Sequence, residues 1–266
     1  MSNMSDLKSG CCTPLERVRY FPRQLLTADD LTAEQDYYRE KMRRHNRYLH
    51  GWGVVCGCAV EPIAGGTGWQ VRVSPGYAVS PAGDEIQICD AVDVDLRLGV
   101  ENQACTVEAP CPPLGYAPTP GERSPVAYVA VRYAECYARP VRVHPAGCGC
   151  DETGCEYSRV RETFEVKVLW QLPESHQRAA KEDQRWCQQL SVADIPQNSL
   201  SFPVPPCPEC STDPWVVLAT VEFVDKKDKN PDGKNDVETT LRVSYDDRRV
   251  LLSVQRLQVA LLCLRD

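Results

Sequence analysis

Histidine is scarce. Only His45, His50, His144 and His176 occur in 266 residues, and none stands in an H-E-x-x-H or comparable metal-catalytic spacing. There is also no G-x-S-x-G nucleophile elbow and no G-x-x-x-x-G-K-[ST] phosphate loop. The one glycine cluster, Gly65-Gly66-Thr67-Gly68, precedes a predicted strand rather than a helix, so no row of free helical amides follows it to hold a phosphate. Carboxylate neighbours such as Asp84 and Glu85 fall at turns, which gives no sign of a glycosidase pair. Long hydrophobic runs are missing as well. No window approaches the roughly 18 apolar residues of a membrane span, and MSNMSDLKSG lacks the apolar centre of a signal peptide. Cytoplasmic synthesis without a membrane span is therefore expected. Basic residues are outnumbered 30 to 37, for a net charge of -7, which argues against nucleic acid as a partner. No catalytic centre emerges from these patterns, and a non-enzyme is expected.

Cysteine, by contrast, is abundant. The count of fifteen is odd, so at least one thiol per chain stays unpaired within a monomer. A cytoplasmic origin disfavours structural disulfides. Cys89 and Cys263 sit among apolar neighbours and need no chemistry. The clustered thiols ask for more. Cys148, Cys150 and Cys155 form one group, and Cys207 and Cys210 form a C-x-x-C knuckle about fifty residues on. Thiolates at such spacing commonly hold structural zinc in a closed tetrahedral site. Five thiols for four positions leave the ligand set open, with disulfides formed after release and free thiols as the alternatives. A redox reading lacks the βαβ context it requires. A zinc-dependent hydrolase would need an open coordination position and a nearby base, which an all-thiolate site does not offer. A weaker cation candidate is Asp228, Asn230 and Asp232, the front half of a calcium loop. Its twelfth position is Thr239 instead of the bidentate Glu, so a solvated hairpin turn is the plainer reading.

Apolar content of 42% and charged content of 25% are ordinary for a folded chain large enough to bury a core. Periodicity divides it into an N-terminal arm (1–24), an amphipathic helix (25–50), a β-domain with cysteine-rich loops (51–245) and a C-terminal helix (246–266). The first helix is well punctuated. Thr27 offers a capping hydroxyl with Asp30 three residues on, acids fill the opening turns, Arg39 to Arg47 fill the closing ones, and Gly51 and Gly53 stop it. Within it Leu31, Gln35, Tyr38, Met42, His45 and Leu49 advance by alternating steps of four and three, a heptad seam. That seam suits packing on its own domain or against another copy. The strand signals include Trp69 to Val73, Glu85 to Cys89 and Val92 to Leu96. Val126 to Tyr133 reads as a central strand covered on both faces, and Val160 to Trp170 alternates cleanly. Glu174 to Leu190 suits a peripheral helix. At the end Val250, Val254, Leu257, Leu261 and Leu264 repeat the four-three stepping. The fold class expected is mainly β, an antiparallel sandwich or barrel-like domain framed by two helices.

The run RQLLTADDLTAEQDYYREKMRRHNRYLHGWGVVCG resembles the N-terminal signature of a bacterial family found with phage-tail-like contractile injection systems. The likeness lies in Leu26 to Leu31 and in His50 to Gly57. VSPGYAVSPAGDEI, from Val73 to Ile86, and CEYSRVRETFEV, from Cys155 to Val166, are similar too. The resemblance implies a structural part of the particle, at the baseplate or another peripheral assembly, and carries no catalytic residues. Its expected partners are other copies of the chain, a homotrimer among the options, and other particle subunits. Assembly in the cytoplasm and release in a particle would follow. The alternative is a fibre- or adhesin-like module binding a carbohydrate or a surface receptor.

Overall fold

The signals at Thr27 fix where the first helix begins. In the computed structural model, α1 (Ala28–His45) opens on a capping box. The Asp30 backbone N–H donates to Thr27 Oγ1, and the Asp30 carboxylate accepts from the Thr27 N–H. The structure describes residues 14–63, 69–97, 126–142, 155–190, 207, 211, 213–229 and 235–257. A five-residue π-helical turn, Asn46–His50, carries the chain on to Gly51.

The protein is mainly β, with antiparallel sheets. Among the described residues ten strands follow: β1 (Gly53–Gly57), β2 (Val60–Pro62), β3 (Gln70–Val73), β4 (Gly76–Val79), β5 (Glu85–Ile88), β6 (Val92–Asp95), β7 (Val126–Arg142), β8 (Cys155–Leu169), β9 (Val216–Lys229) and β10 (Asn235–Ser244), with α2 (Glu174–Leu190) between β8 and β9. They form two small sheets, ordered β1-β4-β5 and β2-β3-β6, and a large one ordered β10-β9-β7-β8. Val54, Val73, Ile86, Ile88 and Val94 of the small sheets join Val129, Val131, Val166, Val168, Val216 and Leu218 of the large one in one buried cluster. Burying each such side chain contributes roughly 1.5–3 kcal/mol. Ala130 is buried beside Val129 and Val131, so β7 is covered on both faces as its apolar run predicts.

A clamp near the chain's end ties the sheets together. Arg248 donates Nε to the Leu218 carbonyl (2.7 Å) and Nη2 to the Cys58 carbonyl, while its guanidinium lies over the Tyr245 ring. The Tyr245 hydroxyl in turn accepts from the Val60 N–H and donates to the Val60 carbonyl, each at 3.1 Å. Burial lowers the Arg248 pKa, but the side chain remains a cation held by carbonyl dipoles.

Three boundaries differ from the sequence reading. β7 and β8 run much further than their apolar cores, to Arg142 and Cys155. β9 and β10 extend to Lys229 and Asn235, so Asp228 is a ladder residue opposite Asp236 instead of a turn residue. The C-terminal helix starts later than residue 246. Residues 246–253 make a turn and a single parallel bridge, Val54↔Val250, before helical residues 254–257.

Candidate functional site

Elements far apart in sequence meet around one groove. Its volume is about 440 Å³, and α1 lines it with Gln35, Asp36, Arg39, Met42, Arg43 and Asn46. The turn before β5 contributes Gly83, Asp84 and Glu85; Tyr133, Glu135, Val160 and Glu162 of β7 and β8 supply the far wall.

Local geometry explains why α1 lies there. The turn is closed by the Gly83 N–H to the Ser80 carbonyl (2.9 Å) and the Asp84 N–H to Ser80 Oγ (3.0 Å). Gly83 has φ +95°, and a Cβ on it would lie 2.2 Å from the Arg43 carbonyl oxygen. Only glycine permits that approach. Asn46, buried, donates its side-chain amide to the Gly83 carbonyl at 2.9 Å. Arg43 reaches Asp84 and Glu40, each at 2.5 Å, and Arg39 reaches Asp36 (2.6 Å) and Glu135 (2.9 Å). Burial alone would lower the Arg43 pKa; Asp84 and Glu40 more than offset it, and the net direction is up. Tyr133 donates to Glu135 at 2.8 Å. Its phenol is pushed up by burial, by that hydrogen bond and by Glu162 and Asp84 nearby, so it stays protonated. Five lining carboxylates stand against two guanidiniums, a charge balance unsuited to nucleic acid.

α1 is thus mounted through polar groups and contains no buried residue. Its seam is left uncovered, with Gln35 and Met42 along the open groove. Leu31 is 50% exposed, Tyr38 59%, Met42 53% and Leu49 69%, and Gln35 and His45 are exposed as well. Of the C-terminal seam, Val254 (62%) and Leu257 (45%) are exposed, and Leu261 lies outside the described residues. Of the two packings open from sequence, burial of the seam on its own domain is not what α1 adopts.

A second polar cluster, which the sequence reading missed, lies under α2. His176 is buried and its Nε2 accepts the Val217 backbone N–H at 3.1 Å, so the ring proton is on Nδ1, facing Ser175 Oγ at 3.3 Å. Ser175 donates onward to Asp213 at 3.4 Å. The set has the composition of a hydrolytic triad with the wrong connectivity. The histidine nitrogen that would act as base is occupied by a backbone amide, and Ser175 accepts from the ring instead of losing a proton to it. Burial, with Arg249 second, lowers the His176 pKa to about 4, and Trp52 packs edge-on to the ring at 4.7 Å. α2 is therefore anchored in the body through Ser175, His176 and Ala179, where sequence suggested a peripheral insertion. Nothing local in the sequence places Val217 beside His176.

The thiols are only partly placed. Cys155 and Cys207 are exposed and free, as are Cys56, Cys89 and Cys187; Cys58 is buried, with its thiol pushed up to about 11 mainly by burial. Cys136, on β7, is disulfide-bonded, against the expectation that disulfides are disfavoured. Cys155 pairs opposite Arg142, eleven residues along β7 from Val131, where β9 begins at Val216; that is roughly 36 Å of strand. Cys148, Cys150 and Cys210 lie outside the described residues, as do Asn230 and Asp232. Among the described residues, no group of three or more His, Cys, Asp and Glu is placed to hold a metal, and no helix is long and apolar enough to cross a membrane.

No family model matches the chain, and no curated protein matches it. Among solved structures it is similar to one titled "Crystal structure of TssK", at 7% identity and a TM-score of 0.38, covering 85% of this chain and 41% of that one. The chain thus spans less than half of TssK's length, and a likeness this slight carries no weight for function.

Proposed function

We propose that the chain is a non-enzymatic structural component of a phage-tail-like contractile injection particle, built into it as an oligomer. The observation that carries this reading is the convergence at the groove. The segments that resemble the particle-associated family are far apart in sequence, yet the helix between Leu31 and His50, the Gly83 turn and the outer part of β8 enclose one surface. Assembly is the role that suits such a surface, since it presents an exposed heptad seam on a polar mount and a groove rim of paired charges. The engagement of His176, Ser175 and Asp213 in fixed structural bonds supports a non-enzymatic role.

Thiolate zinc belongs to the same proposal, with Cys148, Cys150, Cys155, Cys207 and Cys210 as five candidates for four positions. Zinc analysis of the protein carrying Cys207→Ser and Cys210→Ser should show one ion per chain lost; unchanged metal content would remove it from the reading.

The identity is tested on particles purified from producing cells. The chain should be present at a fixed ratio to the sheath subunit, and deletion of its gene should leave particles incomplete. Intact, fully assembled particles that lack the chain would overturn the reading.

A further inference from the structure

The two heptad seams match each other. α1 read backwards from Leu49 places its seam residues four, three, four and three positions apart, and the C-terminal segment read forwards from Val250 does the same. Laid antiparallel in that register, His45 meets Val254, Met42 meets Leu257, and Tyr38 meets Leu261. From His45 back to Gln35 and from Val254 on to Leu264 the span is the same, so at about 1.5 Å of rise per helical residue the layers of the proposed pairing stay aligned. The chemistry is complementary too. The tail is aliphatic, whereas α1 offers a thioether, a phenol and an imidazole that need apolar cover on one side only.

The starting points also agree. The Val54 N–H donates to the Arg249 carbonyl at 2.8 Å, and the Leu251 N–H donates to the Val54 carbonyl at 2.9 Å. Leu251 Cδ1 would lie 3.8 Å from a Cβ on Gly51, where the π-helical turn after α1 ends. The tail is thus launched beside the end of the helix it matches. Its own chain does not use the match. In that register Val254 and Leu257 would cover His45 and Met42, yet Val254, Leu257 and Met42 are all near half exposed or more, and His45 is exposed.

We infer that the α1 seam is covered by the C-terminal segment of a second copy of this chain, residues 254–264, of which 258–264 lie outside the described residues, running antiparallel to α1, with the exchange reciprocal. This rests on the self-association in the proposed function, but not on the identity of the particle. If the purified chain exchanges tails and is missing from particles, the particle reading fails alone; if it is in particles but monomeric in solution, the exchange fails alone.

The test is complementation, read by native mass spectrometry. The unmodified chain is expected at two or more copies. Met42→Asp and Leu257→Asp each place a carboxylate in a shared layer at an exposed position, and each alone should weaken self-association about 100-fold, leaving single chains. Mixed in equal amounts they should associate again, because the intact α1 of the Leu257→Asp copy accepts the intact tail of the Met42→Asp copy. A monomeric unmodified chain overturns the proposal. So does a Leu257→Asp chain that associates normally, since α1 would then have another partner, and so does a mixture that stays monomeric. A chain ending at Ser253 replaces Leu257→Asp should that variant fail to fold, because among the described residues it removes only exposed ones; mixed with Met42→Asp it must also give mixed species, and failure to do so overturns the exchange.

Discussion

β7 and β8 remain paired from Tyr128↔Leu169 to Arg142↔Cys155, yet the two ends of this ladder live in different environments. At the inner end Val129, Val131, Val166 and Val168 are buried beneath the small sheets. At the outer end every residue from Cys155 to Glu162 is exposed, and Tyr137 and Tyr157 stack on each other at 5.8 Å for want of a facing layer. Strand propensity and alternation are similar along both halves. What differs is whether another sheet lies opposite, so burial, and with it most of the stabilisation, is decided by topology.

Four predictions sharpen this contrast between a body held by buried groups and a periphery held by polar ones. The largest concerns the clamp. Arg248→Ala leaves the Leu218 and Cys58 carbonyls without their donor and should cost about 4 kcal/mol in chemical denaturation; a loss below about 1 kcal/mol would show that the sheets do not depend on it. Next is the buried histidine. Because its folded pKa of about 4 lies below the ordinary 6.5, the unfolded chain takes up a proton first as pH falls. Stability from this group is therefore complete above pH 6.5 and is lost between there and pH 4, by about 1.4 kcal/mol per pH unit and about 3 kcal/mol in all. His176→Gln should remove that slope, so parallel pH curves for the two proteins would refute the assignment. Third, Val166→Ala should cost about 2 kcal/mol, whereas Val160→Ala on the same strand should stay within about 0.5 kcal/mol. Equal effects would mean that the outer ladder is packed after all. Last is Gly83→Ala, which should cost at least about 1 kcal/mol, since its Cβ would meet the Arg43 backbone at positive φ. It should lift α1 from its mount, seen as faster amide exchange across α1 with the sheets unchanged.

How much could be read from sequence follows the same division. Thr27 with Asp30, and the apolar runs of β7 and β8, are local signals, and α1 and the central strands appear where they point. The outer ladder was missed because Pro140 reads as a break. Past Val131 β9 no longer pairs with β7, so a residue without an N–H is tolerated on the open side. Thr32, which also has a carboxamide three residues on at Gln35, bonds the Ala28 carbonyl inside the helix and caps nothing. Trp52 and Trp215, whose size alone suggests core, are half-buried and carry arginine and lysine cations over their rings. The seam stepping was visible, but whether a stripe is covered is a property of the folded surface. The groove was hidden for a related reason. Arg43 and Asp84 stand 41 residues apart, and no spacing rule connects them.

The mount of α1 has a mechanical corollary. A helix seated on apolar contacts keeps its angle in any salt, but this one is held by guanidinium–carboxylate contacts at a partly wetted rim. The screening length falls from about 8 Å at physiological ionic strength to about 3 Å at 1 M. Salt should therefore loosen the outer pair, Arg39 with Glu135, first, while the buried Asn46–Gly83 bond and the largely covered Arg43–Asp84 pair keep the lower end of α1 in place.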